Sequence, residues 1–312
     1  MRFVLLGNLA TPHSTEQHHL QALTDLGHQV ETLQEGEATA AAVVRAAAPA
    51  DVLLWVHTHG RQTPGGMAPA VRELRRSRTR VVSYHLDLWH GLGREALLDD
   101  PDYYVNLVDH FFTVDPALAG HVDRRGHGNG HWLPAAVCHR ECWMAPARRR
   151  DLPVVFVGSH RYHAEWPHRN RLLLALTQRY GGDFHAFPNG RPQVRGAELN
   201  RLYGRSQVVV GDSLCPGGSH EGYWSDRVYE TMGRGGFIVH PRVPGLEDHF
   251  TDGQHLRLYD FDDFDGLFQV IDEHLADPAA TDLIRRAGHA EVHAHHTYLH
   301  RWRHIVGVLG PP

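Results

Sequence analysis

The sequence predicts an α/β fold of two Rossmann-like domains that face each other across a cleft. Short apolar runs alternate with helix-like stretches from the first residues onward, and polar, Pro-rich sequence interrupts this alternation once before it restarts. Continuous apolar runs indicate strands of parallel sheets covered on both faces by helices. The length of 312 residues suits two domains of about 150 residues each.

The first half contains five apolar runs that predict strands. They lie at residues 2–6, 29–33, 51–56, 80–84 and 110–114. Amphipathic or Ala-rich segments lie between them and predict helices at residues 13–26, 37–48 and 68–77. In a parallel sheet the carboxyl ends of such strands meet at one edge, where ligands bind.

The interruption at residues 145–153 predicts the domain boundary. It combines two prolines with three successive arginines, and the strand pattern restarts directly after it. We therefore expect domains at 1–150 and 151–312. In the second, we expect strands at 154–158, 183–187, 207–211 and 236–240 and helices at 168–179, 225–234 and 278–309. The last part of the final helix, about residues 296–309, is expected to brace the first domain.

The composition excludes several classes of chemistry. All 31 basic residues are arginine, so neither a Schiff-base lysine nor a P-loop lysine exists. The formal net charge of −5 favours solvated faces over a nucleic-acid footprint for the local arginine clusters. The sequence has no apolar run of about 18 residues, the length of a membrane-spanning helix. Three cysteines agree with a reducing, cytoplasmic location.

The stretch 211–245 carries the strongest chemical signal. A predicted strand ends at Gly211, a Gly-rich loop follows, and a helix is expected to open near Ser225. Backbone N–H groups and the dipole at that helix start would suit a diphosphate, and Arg227 could add a charge-assisted contact. Glu230, one turn further on, could accept hydrogen bonds from ribose hydroxyls. The alternative is a plain loop and helix cap with a solvated Glu230.

Several motifs recur here in a fixed order. Ser225, Arg227 and Glu230 form Ser-x-Arg-x-x-Glu, followed by Gly235-Gly236 and an apolar strand. Further motifs of the same ordered pattern lie at 156–161, 169–173, 244–246, 250–253, 258–260 and 296–301. The pattern resembles the donor-binding domain of GT-B glycosyltransferases (the group 1-like transferases), and most closely the spore-maturation CgeB-like family. The resemblance covers about residues 80–305 and is strongest after 150.

The resemblance implies the GT-B architecture and a metal-independent, hexosyltransferase-like enzyme. Such an enzyme moves a sugar from a nucleoside-diphosphate sugar, a UDP-sugar first among them, to an acceptor hydroxyl, and it needs no cofactor. Glu230 would bind the ribose, and Arg161 and Arg227 would lie near the diphosphate. The other implied donor-site residues are Gly158, Ser159, Ser219, His220, Glu221, Gly222, Tyr223 and Ser225. The paired glutamates of the larger GT-B group are one residue closer together than Glu221 and Glu230, which weakens the assignment of Glu221.

The first domain carries weaker signals for the acceptor side. His85 and Asp87 follow the fourth predicted strand, and either could deprotonate an acceptor hydroxyl. The alternative is that these side chains only hydrogen-bond neighbouring loops. Together with His57 and His59 they would also suit a divalent metal, and a metal-dependent hydrolase is therefore a second hypothesis, which chelation would test.

A third hypothesis is a non-catalytic protein that binds a nucleotide sugar without consuming it. For a transferase, the sequence leaves four acceptor classes open: a saccharide, a natural product, a protein hydroxyl or a hydroxymethylated DNA base. The resemblance to the paired-glutamate group favours retention, whereas a basic Asp87 or His85 would suit inversion. The sequence leaves both the stereochemistry and the oligomeric state open.

Overall fold

The computed structural model describes residues 1–56, 65–88, 95–125, 129–146, 149–159, 168–188, 193–213 and 220–311. The chain divides into two compact units, one of Met1–Pro134 with Tyr298–Pro312 and one of Ala135–Thr297. Each unit is an α/β structure built on a parallel sheet, which confirms the predicted α/β class with two parallel-sheet domains. In the part of the chain that is described, no helix combines the length and the hydropathy needed to cross a bilayer.

The first unit is built around a six-stranded parallel sheet. Its strands are β1 (Arg2–Gly7), β2 (Gln29–Gln34), β3 (Val52–Trp55), β4 (Arg80–His85), β5 (His110–Thr113) and β6 (Asn129–Trp132). They follow the order β2-β1-β3-β4-β5-β6. Its helices are α1 (Thr15–Asp25), α2 (Ala40–Ala47), α3 (Met67–Leu74), α4 (Tyr104–Leu107) and α5 (Pro116–Arg125). The apolar runs form the central strands because helices cover both faces and leave these side chains buried.

The second unit repeats this construction with a five-stranded parallel sheet. Its strands are β7 (Leu152–Val157), β8 (Phe184–Phe187), β9 (Ser206–Val210), β10 (Ile238–Pro241) and β11 (Arg257–Tyr259). They follow the order β11-β10-β9-β7-β8. Its helices are α6 (His168–Tyr180), α7 (Gly196–Arg205), α8 (Arg227–Gly233), α9 (Phe264–Ala276) and α10 (Pro278–His295). The central strands β7 and β9 are buried along most of their length, as their continuous apolar sequence requires.

The division between the units falls after residue 134 rather than near residue 150. Residues 135–146 belong to the second unit because their backbone and side chains are held there. Asn200 on α7 donates to the carbonyl oxygens of Glu141 and Trp143, at 2.8 and 2.6 Å. The Pro-rich stretch that suggested the boundary therefore follows a segment that is already part of the second unit.

Residues 278–309 form two helices, α10 and α11 (Tyr298–Leu309), rather than the single helix that the sequence predicts. Between them Thr297 forms a parallel bridge with Val137, and the Val137 N–H donates to the His296 carbonyl oxygen at 3.2 Å. A residue paired in this way cannot continue the helical hydrogen-bond ladder, so α10 ends at His295.

Helix α11 is part of the first unit. Trp302 is fully buried there, and its Nε1–H donates to His19 Nδ1 on α1 at 3.1 Å. The ring of Trp302 also meets Phe3 of β1 edge-on, with ring centroids 6.0 Å apart. The last helix of the chain thus packs into the same core as the first strand.

Candidate functional site

The carboxyl ends of β7, β9, β10 and β11 lie along one edge of the second sheet because all neighbouring strands are parallel. Ligands of open parallel sheets bind at this edge. Gly158 and Ser159 follow β7, and Gly211 and Asp212 follow β9. Asp212 is only 1% exposed, so this edge carries a buried carboxylate. We refer to it as the donor edge.

Asp212 lies between two arginine side chains. Its Oδ2 accepts a hydrogen bond from Arg169 Nε, and its Oδ1 accepts one from Arg227 Nη1. Burial alone would raise the pKa of Asp212, but Arg227 and Arg169 hold that pKa below its usual range. The carboxylate is therefore ionised, and it is shared by two guanidinium groups, those of Arg169 and Arg227.

The arginine cluster is fixed to the end of β7. The Arg169 and Arg227 guanidinium carbons lie 5.7 and 5.3 Å from the centroid of the Phe156 ring. Arg169 Nη1 donates to the carbonyl oxygen of Ser159 at 2.8 Å. A Cβ atom at Gly158 would come within 2.7 Å of Arg227 Nη2. Gly158 therefore lets the guanidinium group approach the backbone at the strand end.

The start of α8 differs from the sequence prediction. The helix begins at Arg227, two residues after Ser225. The Ser225 hydroxyl accepts from the Arg227 N–H at 3.2 Å, and the Ser225 carbonyl accepts from the Val228 N–H at 3.2 Å. Because Ser225 occupies these N–H groups, the positive charge of Arg227 is the stronger anion-binding feature at this end of the helix.

Glu230 is held in place rather than solvated. Its carboxylate accepts from Arg234 Nε one turn further along the chain. Arg234 is 2% exposed and also donates to Glu141 and, at 2.6 Å, to Asn200 Oδ1. Burial would lower the pKa of Arg234, but the two carboxylates raise it, so the guanidinium group remains charged. The network fixes the position of Glu230, as a residue that binds a ribose would require.

The loop before α8 is anchored to a second turn. Gly222 has a φ of +74°, and its N–H donates to the Pro244 carbonyl oxygen at 2.8 Å. Gly245, with a φ of +89°, packs against Gly222, since a Cβ on Gly245 would lie 3.5 Å from the Gly222 Cα. Tyr223 is buried and Glu221 is exposed. His220 is half-buried, whereas the predicted site residues Ser219 and Arg161 lie outside the described residues.

Two functional features of the donor edge escaped the sequence prediction. Asp212 was not assigned a role, although an acidic residue directly after a buried strand was the available signal. His240, at the end of β10, is fully buried and donates from Nδ1 to the Pro241 carbonyl oxygen at 2.8 Å. Burial lowers the pKa of His240 to about 4, so its ring is neutral at pH 7.

The predicted acceptor-side residues lie at the end of β4 in the first unit. His85 is buried, and its Nδ1 lies 3.1 Å from the Tyr104 hydroxyl oxygen. Asp87 is half-buried, and its Oδ1 accepts from the Leu88 N–H at 2.7 Å. His57 and His59, which the hydrolase hypothesis needs, lie outside the described residues.

The two parallel-sheet α/β units agree with the GT-B architecture that the sequence resemblance implies. Residues 140–307 match the family model described as glycosyl transferase-like. The match spans more than half of the chain, and the protein belongs to this family. It is a glycosyltransferase, and the family does not support the alternative of a metal-dependent hydrolase.

Solved structures with the same fold match nearly the whole chain. HepE (Alr3699) of Anabaena in complex with UDP and glucose has a TM-score of 0.66 at 14% identity, covering 98% of each chain. An alpha-glucosyltransferase in complex with UDP-glucose and DNA containing an abasic site has a TM-score of 0.70 at 12% identity, covering 99% of each chain. BGT of phage T4 in complex with UDP-glucose has a TM-score of 0.65 at 10% identity, covering 99% of each chain. A search of curated proteins by sequence finds no match.

Proposed function

We propose that the protein transfers a sugar from a UDP-sugar to an acceptor hydroxyl, as a member of the CgeB-like branch of its family. The observation that carries the proposal is the buried cluster of Arg169, Asp212 and Arg227 at the donor edge. Its two guanidinium groups suit a diphosphate, and a glycine backbone lies beside them at Gly158. UDP or UDP-glucose bound to HepE and to BGT supports uracil as the base of the donor nucleotide.

In this proposal each part of the donor has a partner. The diphosphate lies against Gly158, Ser159 and Arg227, and the ribose hydroxyls donate to the Glu230 carboxylate. Arg234 favours this role because its hydrogen bond holds the Glu230 carboxylate in one orientation. The loop at 219–223 faces the transferred sugar, and Arg161 adds a second cation to the diphosphate.

The donor edge would also stabilise the leaving group. Breaking the bond between the anomeric carbon and the diphosphate oxygen leaves negative charge on UDP. Arg227 is already oriented by Asp212, so it stabilises this charge without reorganisation, an arrangement typically worth a few kcal/mol. The protein supplies this charge itself, so we expect activity to survive chelation of divalent metals.

On the acceptor side, Asp87 is the general base of the proposal and His85 a positioning residue. His85 is buried against Tyr104, whereas Asp87 is half-buried and so more accessible to an acceptor hydroxyl. The net charge of −5 favours an uncharged acceptor such as a saccharide over DNA. DNA with hydroxymethylated bases should still be tested as an acceptor, since two structural neighbours were solved with DNA.

A cytoplasmic location is also proposed. Cys138 and Cys142 are buried, and burial raises the pKa of each thiol to about 12. Buried protonated thiols agree with a reducing compartment.

The donor assignment is tested by titrating UDP and UDP-glucose into the parent and into Glu230→Gln. We expect Glu230→Gln to weaken UDP binding at least about tenfold, or about 1.4 kcal/mol. Glu273→Gln is the matched control, because Glu273 on α9 is 52% exposed and takes no part in the site. Circular dichroism establishes that each variant is folded. Unchanged UDP affinity in Glu230→Gln would refute the ribose contact.

Transfer itself is tested by following UDP release from UDP-glucose with saccharide, glycoside, peptide and hydroxymethylated DNA acceptors. Asp87→Asn should lower turnover at least about a hundredfold, the typical contribution of a general base, while UDP affinity stays unchanged. Asp102→Asn serves as control, since Asp102 is an exposed partner of Arg72. Nucleotide binding without sugar consumption for any acceptor would instead support the non-catalytic alternative.

A further inference from the structure

A second cationic feature lies at the opposite edge of the second sheet, where the strands begin. A cavity of about 270 Å³ is lined by Arg150, Gln207, His274, Pro278, Thr281 and Arg285. Arg150 precedes β7 and Gln207 lies at the start of β9, so the cavity is at the amino ends of the strands. The remaining residues come from the end of α9 and from α10. We refer to it as the amino-edge cavity.

Arg285 is the central residue of this cavity. It is 1% exposed, and its Nη1 donates to Asp282 Oδ1 at 2.8 Å. Its Nη2 donates to the carbonyl oxygens of Ser206 and Gln207, at 3.4 and 3.2 Å. Among the described residues, its Nε–H has no acceptor. A buried charged donor without a partner is costly, and such a group is expected to have a ligand.

The charges around Arg285 do not balance. Asp282 pairs with Arg285 and also with Arg150, at 2.7 Å, and with Arg286. These three guanidinium groups share one carboxylate. Burial, and then the nearby charge of Arg150, lower the pKa of Arg285 to about 10, which still leaves it protonated at pH 7. Two of these arginines, Arg150 and Arg285, line the cavity, and they share the Asp282 carboxylate with the more exposed Arg286.

The start of α10 does not supply the anion site. Its first-turn N–H groups at Ala279 and Ala280 already donate to Asp277 Oδ1, at 3.1 and 3.0 Å. In the described part of the chain, the Arg285 Nε–H is the buried donor that lacks an acceptor, whereas Arg150 Nη1 donates to the Gly204 carbonyl oxygen at 2.9 Å and Arg150 Nη2 to Asp282. Planar guanidinium groups bind tetrahedral oxyanions through paired hydrogen bonds, and phosphate is the typical partner.

We propose that the amino-edge cavity binds a phosphate group, with Arg285 and Arg150 as its donors. A water molecule occupies about 30 Å³, so the cavity has room for inorganic phosphate or for a small phosphate monoester. This site is separate from the donor edge, and its existence does not depend on the proposed transfer reaction.

The test uses calorimetric titration of the full chain with inorganic phosphate and with glycerol 3-phosphate, at matched ionic strength in chloride and with UDP in excess. If the proposed function is correct, UDP occupies the donor edge and keeps phosphate from it. We expect saturable binding by the parent and at least tenfold weaker binding by Arg150→Gln. Arg150 is only partly buried, at 30% side-chain exposure, so this variant should fold even if Arg285→Gln does not.

Arg286→Gln is the matched control, because it pairs with the same Asp282 but is 70% exposed and does not line the cavity. Its phosphate affinity should stay within twofold of the parent. Binding by glycerol 3-phosphate but not inorganic phosphate would identify a monoester as the ligand. The proposal is overturned if the parent shows no saturable binding of either probe with UDP present. Equal affinity in Arg150→Gln and the parent, or an equal loss in Arg286→Gln, would also overturn it.

Discussion

Replacing Asp212 with asparagine tests whether one carboxylate holds the donor edge together. Asparagine keeps the shape of the side chain and removes its charge. Asp212, Arg169 and Arg227 have side-chain exposures of 1%, 7% and 15%, so water screens the change only weakly. The substitution leaves both guanidinium groups without the carboxylate that they share.

The magnitude follows from two opposing contributions. At an effective dielectric constant of about 20, each attraction between unit charges about 4 Å apart is worth about 4 kcal/mol, so about 8 kcal/mol is lost. Relief of the desolvation of the carboxylate returns several kcal/mol. We expect a net loss of about 3–5 kcal/mol in the free energy of unfolding, as is usual when one partner of a buried ion pair is removed.

Chemical denaturation at pH 7, followed through the unfolding transition of the second unit, measures this loss of free energy. In thermal denaturation, a shift of about 2–4 °C per kcal/mol predicts a melting temperature lowered by about 6–20 °C. Asp272→Asn is the control, because Asp272 forms the exposed pair with Arg179 and should contribute less than about 1 kcal/mol.

The pH dependence adds a second readout. The pKa of Asp212 is lower in the folded protein than the value of about 3.9 in an unfolded chain. Its stabilisation is therefore fully present above about pH 4 and is lost as the pH falls through the folded value. The free energies of unfolding of the parent and of Asp212→Asn should differ by the full amount at pH 7 and should become equal in acid. If Asp212→Asn costs no more than Asp272→Asn at pH 7, the account of the buried cluster is wrong.

Two further substitutions test other contacts. Gly158→Ala places a Cβ within 2.7 Å of Arg227 Nη2 and must displace the guanidinium group, so UDP affinity by calorimetry should fall about tenfold. Gly182→Ala, with nothing within 4 Å of the added atom, should bind as the parent does, and an equal loss in both would contradict the assignment. Trp302→Ala should lower the free energy of unfolding of the first unit by about 3–5 kcal/mol in urea denaturation. Val308→Ala on the same helix, at 37% exposure, should cost far less, and similar costs would show that Trp302 is not a core residue.

Much of the fold could be predicted from the sequence because its central strands are continuous apolar runs. The predicted strands at 2–6 and 207–211 match β1 and β9 to within one residue at each end. Strand β6 was missed, since its sequence Asn-Gly-His-Trp is polar and only partly buried at the edge of the sheet. A strand of this kind forms through its neighbour β5, and no local pattern indicates it.

The candidate site, like the fold, could be predicted from the sequence only in part. The placement of Arg227 and Glu230 on one short helix could be read from their spacing, because three residues make nearly one turn. The pairing of Arg169 with Asp212 could not, since 43 residues separate them and only the parallel pairing of β7 with β9 brings them together. The end of α10 was missed for a similar reason, because it depends on the bridge between Val137 and Thr297.

The position of α11 has a consequence for the order in which the chain folds during synthesis. The second unit is encoded entirely between the two pieces of the first. At about 5–20 residues per second, its roughly 160 residues take on the order of 10–30 s to emerge. Until then the groove beside His19 lacks Trp302 and exposes apolar surface. The half that is made first is thus finished last, and it is the half that a nascent-chain chaperone would have to protect.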